Sequence, residues 1–143
     1  MTRVMDATTQ KVWMMWTDPS HFCQWFGIPP VTATPETTSL DVRPGGAWRA
    51  DMLNQNDGTR IPFGGTYLEV EPQKKLVYTI TDAEHPANTA VETVTITFKD
   101  VSGRTQMTLH QIGHLPIEQY GAPLQNGYTA FFDRMAHHLV TLR

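Results

Sequence analysis

The chain has 143 residues, a length that predicts a single domain over residues 1–143. Hydrophobic residues make up 40% of it and charged residues 17%, which is typical of a globular protein and excludes a disordered or coiled-coil chain. The formal net charge is −3, from 11 Lys and Arg against 14 Asp and Glu, so nucleic acid and anionic membranes are not expected partners. Cys23 is the single cysteine, which excludes an internal disulfide.

The N-terminal segment has no apolar signal sequence, and no run of 18 apolar residues occurs anywhere in the chain. We therefore expect a soluble, cytoplasmic protein without a membrane partner.

The first elements are a short strand and two short helices. Residues 2–5 are strand-like, and Thr8 or Thr9 is a suitable N-cap for a helix over residues 10–16, because a hydroxyl oxygen accepts a free backbone N–H. Asp18 and Pro19 mark the start of a second helix, since Asp caps and Pro is tolerated at the first helical position. The apolar side chains of this second helix are Phe22, Trp25 and Phe26.

From about residue 34 the apolar pattern has period two, which predicts strands. Trp48, Ala50 and Met52 form the apolar face of one strand, and a turn follows at residues 56–58. In the next strand, over residues 66–71, the alternation places Leu68 and Val70 on the apolar face.

The two strands after residue 90 have the most regular alternation. They are joined by a turn at Ser102-Gly103 and form a predicted hairpin with one polar and one apolar face. The apolar face comprises Val94, Ile96, Phe98, Met107 and Leu109.

A long amphipathic helix is predicted at the end of the chain, from Leu124 to Leu142. Its apolar residues recur at intervals of three and four and fall within an arc of about 80°. They are Leu124, Tyr128, Phe131, Met135, Leu139 and Leu142. This helix is long enough to cover the apolar face of a sheet.

The residue types that carry most catalytic and metal chemistry are scattered. His137 and His138 are adjacent, so on a helix they point about 100° apart and do not chelate one ion. Cys23 is interpreted as a buried, inert thiol, and Glu69 and Glu71 as charges on the solvent face of a sheet rather than as a catalytic pair. We expect no metal and no cofactor, and the sequence identifies no catalytic residue.

Aromatic residues are distributed over several predicted elements, which suits a mostly apolar pocket with a few hydrogen-bonding groups. We expect a cavity between the sheet and the last helix, lined by Trp48, Met107, Tyr128 and Phe132, with Tyr78 and Tyr120 as further candidates. The alternative is that these side chains simply pack together.

Several short motifs resemble one superfamily over residues 3–142. They are Trp16-Thr17-Asp18-Pro19 in the first helical region, the strand–turn segment over residues 40–46, the strand segments over residues 65–72 and 76–79, and Asn126-Gly127-Tyr128 in the last helix. The chain resembles the SRPBCC (START-like) superfamily, in the branch named for similarity to the activator of the heat-shock-protein-90 ATPase.

The resemblance implies an α+β helix-grip fold: a curved antiparallel β-sheet wrapped around a long C-terminal α-helix, with two short helices after the first strand. It also implies a cavity, for which the leading hypothesis is binding of a small apolar molecule. The open alternatives are a cyclase-, aromatase- or hydrolase-type enzyme and a co-chaperone-like interaction module. Formation of a homodimer is a further open alternative, because the first strand is short and leaves a sheet edge.

Overall fold

The computed structural model describes residues 1–82, 92–112 and 117–142, with side chains except at 81–82 and 117–125. The predicted polar loop over residues 82–90 lies almost wholly outside the described residues. The described elements are β1 (Thr2–Met5), α1 (Thr9–Thr17), α2 (Pro19–Phe22), β2 (Gly27–Ile28), β3 (Val31–Leu40), β4 (Ala47–Asn54), β5 (Arg60–Glu71), β6 (Lys75–Asp82), β7 (Glu92–Val101), β8 (Arg104–Ile112) and α3 (Ile117–Val140).

Eight strands in the described residues form one antiparallel sheet in the order β1-β8-β7-β6-β5-β4-β3-β2. The sheet curls around α3, and α1 and α2 follow β1 at one end. This confirms the predicted helix-grip fold. Among the described helices, none combines the length and apolarity needed to cross a bilayer.

Side-chain caps begin the two short helices as predicted. Thr8 caps α1 by accepting the backbone N–H of Lys11 at 3.4 Å. The carboxylate of Asp18 accepts from the backbone and the hydroxyl of Ser20, at 2.9 and 2.7 Å. These hydrogen bonds, led by the one from the Ser20 hydroxyl, hold the pKa of Asp18 below its ordinary value.

The inner face of α3 follows the predicted apolar periodicity. Phe132, Met135 and Leu139 are buried in the core, and His137 is exposed on the other face. The helix begins at Ile117 rather than after Pro123, so it is seven residues longer at its start than the periodicity indicated. The side chain of Leu124 lies outside the described residues.

Strand β5 contains a bulge that overturns the predicted burial of Leu68. Tyr67 pairs with Tyr78, whereas Glu69 pairs with Val77, so β5 has one extra residue at this point. Such an insertion reverses the alternation of side chains along the strand. Tyr67 is therefore 3% exposed and Leu68 48% exposed.

Candidate ligand-binding site

A cavity of about 200 Å³ lies between the concave face of the sheet and α3. It is bounded by strands β4, β5 and β6, by the segment after α2, and by the middle of α3. The described residues that line it are Trp25, Phe26, Met52, Phe63, Tyr78, Ile80, Gly127, Tyr128 and Phe131.

Contacts between aromatic rings form one wall of this cavity. The ring of Phe26 meets that of Phe63 at 5.7 Å and 89°, and that of Phe131 at 5.7 Å and 56°. Trp25 is fixed at the base of this wall, because its indole N–H donates to the Met15 carbonyl at 2.7 Å. The wall is therefore apolar, and its ring centroids lie at separations that aromatic pairs prefer.

The helix side of the cavity is open because Gly127 has no side chain. A Cβ built at Gly127 meets no heavy atom of the described residues within 4 Å outside its own helix. Glycine inside a helix is less favourable than alanine by roughly 1 kcal/mol. Its presence on the inner face of α3 thus leaves space that almost any other residue would fill.

Besides the Trp25 indole, whose N–H is already paired, the described lining contains two phenol hydroxyls. The Tyr128 hydroxyl donates to Oε1 of Gln111 at 2.6 Å. Burial raises the pKa of Tyr128 well above its ordinary value, and the charge of Glu92 raises it further. Burial does the same to the pKa of Tyr78. Both phenols therefore remain neutral across the ordinary pH range.

The six residues predicted for the site fall into three groups. Tyr78 and Tyr128 line the cavity. Trp48, Met107 and Phe132 are buried in the packed core, outside the described lining. The side chain of Tyr120 lies outside the described residues.

Each of the three core residues has a structural partner. The indole N–H of Trp48 donates to the Thr79 carbonyl at 2.8 Å. The ring of Phe132 packs 6.1 Å from that of Trp16, and Met107 accepts a hydrogen bond from the same indole.

Sequence reasoning missed most of the lining. It placed Trp25, Phe26 and Met52 on apolar faces but did not assign them to a cavity. The available signal was Gly127, a glycine next to Tyr128 at the border of the apolar arc of an otherwise amphipathic helix.

Histidines His21 and His138 form a pair that their separation in sequence conceals. Nδ1 of His21 lies 3.0 Å from Nε2 of His138, which joins α2 to the end of α3. Burial lowers the pKa of His138, and the nearby His21 and His137 lower it further. No group of three His, Cys, Asp or Glu side chains in the described part of the chain is arranged to hold a metal ion.

The thiol of Cys23 is buried beside α2. Burial raises its pKa above the ordinary value, so the thiol stays protonated and is a poor nucleophile.

A curled antiparallel sheet around a long helix, with an apolar cavity between them, defines a helix-grip domain. The family model described as "Activator of Hsp90 ATPase homolog 1-like protein" matches residues 6–140 of the chain. The chain belongs to this family. A search of curated proteins finds no match.

Solved structures with the same fold include three bacterial proteins. Protein CV1439 of Chromobacterium violaceum is 23% identical with a TM-score of 0.80, over 96% of this chain and 93% of that one. Protein Ms6760 of Mycobacterium smegmatis is 21% identical with a TM-score of 0.80, over 99% and 90%. The AHSA1 protein of Silicibacter pomeroyi is 18% identical with a TM-score of 0.83, over 100% and 97%. At these sequence identities, the similarity shows a shared fold and nothing more specific.

Proposed function

We propose that this protein binds a small, mostly apolar molecule in the cavity between the sheet and α3. The observation that carries the proposal is the cavity itself, about 200 Å³ of space lined by aromatic and aliphatic side chains. A concave, mostly apolar surface with a few polar groups is typical of small-molecule sites, and an apolar ligand placed there buries its own surface and that of the lining.

The volume of the cavity limits the size of the ligand. An apolar cavity of about 150 Å³ accommodates benzene. A cavity of about 200 Å³ therefore fits one six-membered ring with a short substituent. The rings of Phe63 and Phe131 on its walls offer edge and face contacts to such a ligand.

Gly127 provides a direct test by calorimetric titration with toluene and indole. Leucine at position 127 fills the cavity from the helix side, and it favours helix formation over glycine. We expect the wild type to bind one equivalent of at least one of these compounds and the Gly127→Leu variant to bind neither.

The matched control is Asn126→Leu, which places the same side chain on the exposed face of the same helix. This control should bind as the wild type does. Wild-type protein that binds neither compound, or a folded Gly127→Leu variant with wild-type affinity, would contradict the proposal.

A further inference from the structure

Tyr78 carries a polar hydrogen that the described part of the chain does not use. Three side chains of the described lining have an N–H or O–H group: Trp25, Tyr78 and Tyr128. The indole N–H of Trp25 donates to the Met15 carbonyl at 2.7 Å, and the Tyr128 hydroxyl donates to Gln111 at 2.6 Å. Among the described residues, the Tyr78 hydroxyl has no hydrogen-bond partner.

The Tyr78 hydroxyl keeps some accessible surface, although the residue is only 8% exposed. In the described part of the chain, one fully enclosed side-chain oxygen or nitrogen lacks a partner, and it belongs to Glu92. If the unpaired Tyr78 hydroxyl were fully enclosed, it would be a second such atom. Because Tyr78 is a buried residue of the cavity lining, we assign its accessible surface to the cavity.

Aromatic rings enclose Tyr78 on the core side. Its ring lies 5.5 Å from that of Trp48 and 6.4 Å from that of Trp16, and neither tryptophan belongs to the described lining. An indole has an N–H donor but no acceptor atom. These two side chains therefore fix the position of the Tyr78 ring and offer its hydroxyl nothing to donate to.

The electrostatic environment of Tyr78 places its hydroxyl on the side of Tyr128. Burial raises the pKa of Tyr78 most, and the phenol of Tyr128 raises it further, by more than the phenol of Tyr67 does. Tyr128 lines the cavity, whereas Tyr67 lies outside the described lining. The raised pKa also keeps the hydroxyl protonated, and so able to donate, across the ordinary pH range.

The cavity extends from Tyr78 along β6 toward apolar side chains. Ile80 follows on the same face of the strand, and Phe63 of β5 pairs with Asp82, four residues from Tyr78. Four residues of a strand span about 13 Å. A ring that lies against Ile80 and Phe63 therefore has the Tyr78 hydroxyl toward one end.

We propose that the ligand is an aryl carbonyl compound, one aromatic ring with a ketone or aldehyde group, whose oxygen accepts a hydrogen bond from the Tyr78 hydroxyl. A carbonyl fits this site because it accepts without bringing a hydrogen of its own into an apolar cavity, where an unpaired donor is unfavourable. This inference rests on the proposed ligand-binding function and adds to it the chemistry of the ligand's polar end.

The test compares acetophenone with α-methylstyrene, which has nearly the same shape but a methylene group in place of the carbonyl oxygen. Both are titrated calorimetrically into the wild type and into Tyr78→Phe. Loss of the hydroxyl leaves a bound carbonyl unpaired, so we expect the variant to bind acetophenone about fivefold or more weakly. It should bind α-methylstyrene at least as tightly as the wild type does.

The infrared carbonyl stretch of isotope-labelled acetophenone reports the hydrogen bond directly, because a hydrogen bond to a carbonyl lowers its stretching frequency. We expect a lower frequency on the wild type than on Tyr78→Phe, where it should match that in an apolar solvent. The matched control is Tyr67→Phe, which removes a buried phenol hydroxyl directly opposite Tyr78 on β5 but outside the described lining. This control should give the wild-type affinity and frequency.

The stability of Tyr78→Phe without ligand tests the unpaired state of the hydroxyl. The variant should keep the Tm of the wild type, since it loses no hydrogen bond to a described residue. A variant that unfolds at a clearly lower temperature would show that the chain itself pairs this hydroxyl, and it would overturn the role of Tyr78.

The binding results separate the two proposals. If the wild type binds α-methylstyrene but not acetophenone, or if Tyr78→Phe keeps the wild-type affinity and carbonyl frequency for acetophenone, the role of Tyr78 is overturned and the cavity proposal stands. If the wild type binds neither compound, both proposals fail.

Discussion

The indole N–H of Trp16 donates to the Sδ atom of Met107 at 3.3 Å, and both side chains are fully buried. This contact joins α1 to β8 across the core. Methionine is therefore used at this position as a hydrogen-bond acceptor as well as a flexible apolar side chain.

Met107→Leu should lower the free energy of unfolding by more than the small change in side-chain volume predicts. Leucine replaces methionine in a core for less than about 1.5 kcal/mol. Here it also leaves the buried indole N–H of Trp16 unpaired, which adds about 1–3 kcal/mol. Met135→Leu, at an equally buried position on α3, is the control. Equal unfolding free energies for the two variants in urea would show that the sulfur contact contributes nothing.

Leu139→Ala should lower the free energy of unfolding by about 2–5 kcal/mol, because it opens a cavity under α3 where the leucine side chain is buried. His137→Ala, on the exposed face of the same helix, should change it by no more than about 0.5 kcal/mol in either direction. Chemical denaturation of both variants measures the difference. Similar losses would mean that the two faces of the helix are assigned the wrong way round.

Gly65→Ala should be strongly destabilising because β5 approaches β6 closely there. A Cβ at Gly65 would lie 1.9 Å from the Thr79 carbonyl oxygen, which also accepts the hydrogen bond from Trp48. Relief of such a clash requires movement of backbone, at a cost of about 1–3 kcal/mol or more.

Gly127→Ala is the matched control for Gly65→Ala, since its Cβ enters open space and alanine favours the helix. Thermal unfolding should show a lower Tm for Gly65→Ala and an unchanged or higher Tm for Gly127→Ala. A Gly65→Ala variant as stable as the wild type would show that the strands separate at little cost.

Acidification should destabilise the contact between α2 and α3. The pKa of His138 is lowered in the folded state from its ordinary value of 6.5. As pH falls through 6.5, the unfolded chain binds a proton that the folded chain does not yet accept, so the free energy of unfolding decreases until the folded pKa is reached.

In Tm measurements from pH 7.5 to 5, His138→Gln should therefore show a weaker pH dependence than the wild type. His110→Gln, an exposed histidine on β8, should keep the wild-type slope. Parallel slopes for the wild type and His138→Gln would exclude the pair as a source of pH dependence.

The fold follows from patterns that are local in the sequence. Regular alternation from Val94 to Phe98 defines an inner and an outer strand face, and the three- and four-residue spacing from Tyr128 to Leu139 defines the inner face of α3. The bulge at Leu68 is different, because one inserted residue reverses the alternation and its position depends on pairing with β6.

The site was less predictable because a cavity is a property of what packing leaves empty. Apolar periodicity placed both Trp48 and Tyr128 on inward faces. Whether an inward side chain packs in the core or lines a cavity depends on its neighbours in three dimensions, which the periodicity does not specify.

The central claim is that the space between the sheet and α3 receives a small aromatic ligand. Crystals of the wild-type protein exposed to bromobenzene, with diffraction measured at the bromine absorption edge, locate the bound ring directly. We expect one anomalous peak within van der Waals distance of Phe63, Gly127 and Phe131. Bromine sites confined to the protein surface, or a cavity closed by its own side chains, would contradict the account.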